Sequence, residues 1–233
     1  MPTATYSTRR SELETYFDRT AADAWKKLTS DAPVSKIRAT VRAGRNRMRD
    51  NLLSWLPVDL SGRRILDAGC GTGALAVEAA SRGAHVTAID LSETLVGYAA
   101  ELARELPLKG RIDFRVGDML NPALGEFDHV VCMDSLIHYD SKDIVRVLSQ
   151  LSERCHGSIN FTYAPRTPAL AAMHAVGKLF PKSDRAPAIQ PVSTSGLRAL
   201  IQTEPSLDGW SVGRSQRIQS GFYTSHAQEL HRP

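Results

Sequence analysis

The chain has 233 residues, 42% hydrophobic and 23% charged, which suits one large α/β domain with an appendage and excludes disordered and collagen-like classes. Its apolar runs, such as 169–176, fall far short of the ~20 residues of a membrane-spanning helix, and residues 1–14 are polar without the apolar stretch of a secretory signal, so a cytoplasmic protein is expected. The formal net charge is +4, and residues 1–60 account for it with eleven Lys and Arg against seven Asp and Glu, an electropositive quarter suited to nucleic acid, an anionic membrane surface or an acidic small substrate.

The first sixty residues read as helical. Leu13, Tyr16 and Phe17 recur at helical spacing, as do Ile37, Val41, Met48 and Leu52. Arg38, Arg42, Arg45 and Arg49 share one helix face; a solvated basic face is the ordinary reading, and a substrate carboxylate, a protein or membrane phosphates the functional ones. Pro57 stops this region, and Ser61-Gly62 makes a turn. Strands and helices then alternate: a strand at 64–67, a helix at 75–82 ended by Gly83, a strand at 85–90, a helix at 93–105 capped by Ser92, and a strand at 113–116. A fourth strand at 127–133, a helix at 144–151 and a fifth strand at 158–163 follow. Such alternation predicts a mostly parallel sheet with helices on both faces.

The last third breaks this rhythm. Residues 165–191 form an insertion after the fifth strand, with prolines around the apolar stretch 169–180, a candidate substrate cover or a helix on the sheet edge. A helix at 195–202 precedes two strands, 210–218 and 222–230, separated by Gln219-Ser220-Gly221 and read as an antiparallel hairpin. The boundaries expected are 1–60 for an N-terminal helical lid region and 61–233 for the α/β domain. The cysteines Cys70, Cys132 and Cys155 are odd in number without C-x-x-C spacing, so reduced thiols are expected. No cluster has ligand spacing, so no protein-bound metal is expected. The basic face lacks interleaved aromatics, which disfavours nucleic acid.

The most informative motif is Ile65-Leu66-Asp67-Ala68-Gly69-Cys70-Gly71-Thr72-Gly73, joining a strand to a helix. Glycines there let the backbone turn tightly and approach a ligand closely, and the helix start presents unpaired N–H groups. About twenty residues on, the next strand ends in Asp90, where a carboxylate can accept ribose hydroxyls. Two cofactors use this design. Gly69, Gly71 and Ala74 satisfy a dinucleotide pattern; Asp67, Gly69, Gly71 and Gly73 satisfy the pattern of S-adenosylmethionine (SAM) sites. The carboxylate of Asp67 discriminates, because SAM carries an ammonium group to neutralise it and a pyrophosphate would be repelled.

Residues 64–163 resemble a class I SAM-dependent methyltransferase. The resemblance implies a Rossmann-like α/β fold: a seven-stranded, mostly parallel sheet with a C-terminal antiparallel hairpin. It places Asp67, Gly69, Gly71 and Gly73 around the methionine moiety, Asp90 on the ribose and Asp118-Met119 at the adenine, with Leu91 and Met133 also binding cofactor. Outside that core, Tyr16-Phe17-Asp18-Arg19-Thr20, Met133-Asp134-Ser135-Leu136-Ile137-His138-Tyr139, Ala164-Pro165-Arg166-Thr167-Pro168, residues 178–189 and Gly221-Phe222-Tyr223-Thr224-Ser225 resemble the magnesium-protoporphyrin IX O-methyltransferases of chlorophyll and bacteriochlorophyll biosynthesis. That resemblance implies esterification of one propionate of magnesium-protoporphyrin IX, with S-adenosylhomocysteine as the other product. It also implies catalytic positioning roles for Tyr16 and His138, cooperation with the porphyrin-binding subunit of magnesium chelatase, and peripheral membrane contact. A propionate is already ionised at pH 7 and needs no strong base; placement and water exclusion carry the chemistry. The rival acceptor is another small molecule, such as a quinone precursor.

Overall fold

Short apolar runs bounded by turns make the strands. In a computed structural model, which describes residues 4–19, 22–30, 33–167 and 188–232, β1 (Arg64–Ala68), β2 (His85–Asp90), β3 (Arg111–Val116), β4 (Phe127–Cys132), β5 (Cys155–Tyr163), β6 (Ser211–Ser220) and β7 (Tyr223–His231) form one sheet. Its order is β3-β2-β1-β4-β5-β7-β6. The first five strands are parallel, while β7 runs antiparallel to both β5 and β6. The expected seven-stranded class I methyltransferase architecture is therefore present. The hairpin turn is tighter than expected: Ser220 pairs with Tyr223, leaving Gly221-Phe222 as a two-residue loop. Gly221 has φ +57, which its missing Cβ permits and which favours glycine at the first position of such a turn.

Helices α1 (Ala4–Arg19), α2 (Ala22–Thr29), α3 (Lys36–Ser54), α4 (Ala74–Ser81), α5 (Glu93–Ala103), α6 (Ser141–Ser152) and α7 (Thr194–Thr203), with short 3-10 turns at Pro122–Leu124 and Pro205–Leu207, complete the described elements. Their starts are chemically marked. Ser92 Oγ accepts the Leu95 N–H at 3.2 Å, as its position before α5 predicts, and Asp140 Oδ1 accepts from Lys142 and Asp143 at 2.9 Å each at the head of α6.

The sheet separates two apolar clusters. One joins Leu66, Val130, Phe161 and Leu230 to Ile144 and Leu148 of α6 and Leu197 of α7. The other joins Ile65, Val86 and Val131 to Leu75 of α4 and to Met48, Leu52 and Leu53 of α3. The second cluster divides the N-terminal region. The later turns of α3 belong to the core, and a Cβ on Gly44 would stand 2.5 Å from the Tyr223 ring, so only glycine lets the helix lie this close to the hairpin. The apolar periodicity of α3 is buried only in part: Met48 and Leu52 are inside, while Ile37 is 56% exposed. Helices α1 and α2 line the cavity described below, and α1 also gives Tyr6 and Leu13 to the first cluster. Among the described residues, no helix is long and apolar enough to cross a membrane. The cover expected at 169–180 lies outside the described residues.

Candidate active site

The strand order reverses direction between β1 and β4, and parallel sheets bind ligands at the carboxyl ends of strands at such a point. A cavity of about 420 Å³ opens there. Its floor is the loop after β1, held by Gly69 and Cys70 N–H groups that donate to the Ile89 carbonyl at 2.8 and 3.0 Å. Gly69 has φ +86, and a Cβ on it would stand 2.4 Å from Ser135 Cβ. Conformation and space both require glycine here. Gly73 acts differently: it does not line the cavity, and a Cβ on it would meet Ala99 and Phe114 at 3.1 Å. Its place is the tight seam between α4 and the neighbouring layer.

Three carboxylates mark one half of the cavity. Asp67 is 1% exposed, and its Oδ2 has no hydrogen-bond partner. Burial, and then repulsion from Asp90, push its pKa up to about 7. An orphaned carboxylate oxygen facing a cavity is a site for a cation, and the ammonium group of SAM fits it. Ser135 Oγ is a second buried, unpartnered polar atom on the same wall. Asp90 accepts the Gly71 N–H at 2.8 Å through Oδ2 and the Ser92 N–H at 3.0 Å through Oδ1. Burial raises its pKa against those opposing bonds. Each oxygen keeps acceptor capacity for a ribose hydroxyl.

Asp118 is already engaged. Its Oδ1 accepts from Tyr6 Oη at 2.8 Å and from the Leu120 N–H at 2.9 Å, and its Oδ2 accepts from Arg10 at 2.9 Å. Tyr6 also stacks on Tyr139 with centroids 5.0 Å apart. At its other end α1 is fixed by Asp18, whose Oδ1 accepts from Ser92 Oγ and the Thr94 N–H at 3.2 and 3.1 Å. Helix α1 thus bridges the two loops expected to hold adenine and ribose.

The opposite half of the cavity is cationic. Arg38, Arg42, Arg45 and Arg49 all line it, so the regularly spaced face of α3 looks into the cavity. Arg42 donates to the Leu28 and Lys27 carbonyls at 2.9 and 2.7 Å, tying the end of α2 to α3. Arg45 pairs with Asp134 at 2.6 Å and stacks its guanidinium 4.5 Å from the Trp25 ring centroid. Trp25 in turn lies over the glycine loop, its Nε1 3.2 Å from where a Gly71 Cβ would be.

Asp134 is the only non-glycine residue with positive φ among those described, at +55. It also accepts from Tyr223 Oη at 3.1 Å through each oxygen, and from Ser225 and Thr162 at 3.2 Å.

The two expected positioning residues meet between these halves. Tyr16 and His138 both line the cavity and flank Phe17, whose centroid lies 5.2 Å from Tyr16 and 6.3 Å from His138. Burial raises the Tyr16 pKa, so its hydroxyl remains a donor at neutral pH. His138 is buried, with Nδ1 3.4 Å from the Ala188 carbonyl. Every expected cofactor residue except Gly73 lines the cavity: Asp67, Gly69, Gly71, Asp90, Leu91, Asp118, Met119 and Met133. Sequence reasoning did not single out Tyr6, Arg10, Trp25 or Asp134 as site residues. Asp134 lies in the segment that carries the family resemblance, but its role, like those of Tyr6, Arg10 and Trp25, comes from a contact distant in sequence.

Residues 65–156 match a model of the methyltransferase domain, and residues 132–232 match that of the magnesium-protoporphyrin IX methyltransferase C-terminus. A magnesium-protoporphyrin O-methyltransferase from Rhodobacter capsulatus is 48% identical over 227 residues, covering 96% of this chain and 97% of that relative. This chain belongs to the magnesium-protoporphyrin O-methyltransferase family. Two crystal structures of the Synechocystis PCC 6803 magnesium protoporphyrin IX methyltransferase agree. The form with bound S-adenosylhomocysteine is 28% identical with a TM-score of 0.83, covering 96% of this chain and 99% of that one. The form with bound SAM is 26% identical with a TM-score of 0.79, covering 97% of each. As a member of this family, the chain is a SAM-dependent O-methyltransferase with SAM as its cofactor.

Proposed function

We propose that this magnesium-protoporphyrin O-methyltransferase family member transfers a methyl group from SAM to one propionate of magnesium-protoporphyrin IX. The products are the monomethyl ester and S-adenosylhomocysteine, in chlorophyll or bacteriochlorophyll biosynthesis. The observation that carries this reading is the polarity of a single cavity, acidic where a cationic cofactor sits and arginine-lined where an anionic acceptor enters, with Tyr16 and His138 between.

When bound, SAM supplies an electrophilic methyl group, and an ionised propionate requires no deprotonation. The chain's own residues bind and orient. Asp67 receives the ammonium group and Asp90 the ribose. Arg49 lines the cavity together with the glycine loop and serves the methionine carboxylate. Tyr16 Oη and the His138 ring hold the reacting carboxylate in line. Helices α1 and α2, the latter through Trp25, exclude water, which strengthens these charge interactions. Cooperation with the porphyrin-binding subunit of magnesium chelatase and peripheral membrane contact belong to the same reading. Exposed Ile37, beside Lys36 and Arg38 in the chain, and exposed Phe222, whose neighbour Gly221 packs against Thr40 of α3, give such a contact a surface. A pull-down with that subunit and sedimentation with vesicles test them.

The deciding experiment supplies labelled SAM with magnesium-protoporphyrin IX or the metal-free porphyrin. Label in a base-labile ester of the magnesium porphyrin is expected. SAM binding with neither porphyrin labelled would overturn the acceptor and direct attention to quinone precursors.

A further inference from the structure

The four arginines of the α3 face do not share one task. Arg42 holds the carbonyls at the end of α2, Arg45 is paired with Asp134, and Arg49, one turn further along the helix, has Asp50 at 3.7 Å. Among the described residues, Arg38 has no ion pair or hydrogen bond through its side chain, yet it lines the cavity. Seven residues separate it from Arg45, which sets it roughly 10 Å along the helix axis from the Asp134 contact, toward the N-terminus of α3. Arg38 lines the same cavity as Tyr16 and His138, about two helical turns before Arg45 on α3. The acids against this helix face are already engaged, Asp134 by Arg45 and Asp50 by Arg49.

We propose that Arg38 holds the carboxylate that does not react, and so makes the enzyme a mono-esterifying one. This inference rests on the acceptor proposed above, whose two propionates leave one edge of a flat apolar macrocycle. With one propionate between Tyr16 and His138, the other points along α3 toward Arg38, where a guanidinium makes a charge-assisted, bidentate contact. After transfer, the remaining acid can reach the reaction centre only if the porphyrin turns over and presents its new ester to Arg38. An ester has no negative charge, so that pose forfeits the contact. Second methylation is disfavoured by the same residue that favours the first.

The test compares wild-type protein with Arg38→Gln and Arg38→Lys. Affinities for magnesium-protoporphyrin IX and for its dimethyl ester are measured by porphyrin fluorescence with S-adenosylhomocysteine present, and the products of turnover are separated into mono- and diester. Arg38→Gln is expected to weaken the diacid about tenfold, to leave the dimethyl ester within twofold, and to raise the diester share of product; Arg38→Lys should recover much of the diacid affinity. Equal weakening of both ligands would make Arg38 a structural residue and overturn the proposal, as would an unchanged diacid affinity. If wild-type protein binds S-adenosylhomocysteine but neither porphyrin, the acceptor assignment itself fails, and the role of Arg38 with it.

Discussion

Removing the carboxylate of Asp134 should cost more stability than any other single change at the rim of this cavity. Its side chain is 4% exposed and the Arg45 side chain 16%, so neither charge is well solvated. Deleting one member of such a pair leaves the other buried without compensation, at about 3–5 kcal/mol. Tyr223, Ser225 and Thr162 lose an acceptor at the same time. Asp134→Ala is therefore expected to lose about 4 kcal/mol in urea denaturation, or roughly 8–16 °C in Tm for a chain of this size.

Two companion variants separate the causes. The backbone at 134 has φ +55, which costs an ordinary L-residue about 1–2 kcal/mol and glycine nothing. Asp134→Gly should thus be about 1 kcal/mol more stable than Asp134→Ala despite its extra flexibility. The double variant Asp134→Ala with Arg45→Met removes both charges and should be more stable than Asp134→Ala alone. A loss below about 1 kcal/mol, or simple additivity in the double variant, would refute the account of a buried pair as the anchor of α3. The same variants should loosen Trp25 from the glycine loop, since Arg45 then has nothing to hold it against the indole.

Asp67 links pH to both stability and cofactor binding. Its pKa is raised from 3.8 to about 7, so between those values the folded protein retains a proton that the unfolded chain releases. Ligand-free stability therefore falls as pH rises through this window, by at most about 4 kcal/mol. A bound ammonium group favours the ionised form, so SAM binding at pH 6 should release close to one proton from Asp67, a contribution that falls to almost none at pH 8, where the SAM amino group itself takes up part of a proton. Calorimetry in buffers of different ionisation enthalpy reads this directly, and persistence of the release in Asp67→Asn would exclude Asp67 as its source. For His138, replacement by Ala should lower kcat about 10–100-fold, the worth of one hydrogen bond to a charged group, with a smaller change in the porphyrin KM; wild-type turnover would remove it from the mechanism.

The sequence alone was enough for the architecture and the cofactor loop, because their signals are local. A strand needs only a short apolar run, and Asp67, Gly69 and Gly71 lie within five residues of one another. Asp90 stands at the end of the next strand, where the crossover geometry of a parallel sheet places it. The remainder depended on packing. The 4, 3 and 4 spacing of Arg38, Arg42, Arg45 and Arg49 defines a helix face, but not what that face meets. Burial of Met48, Leu52 and Leu53 on the sheet, together with the fit of Gly44 against Tyr223, turns it toward the cavity. Arg45 reaches Asp134 across 89 residues, and Tyr6 reaches Asp118 across 112. Neither pair has a repeat or spacing to announce it, because an ion pair or hydrogen bond at that separation exists only after the chain has closed. Gly73 is the converse case: a motif position whose residue type was legible, but whose role in holding Ala99 and Phe114 close appears only when the layers are assembled.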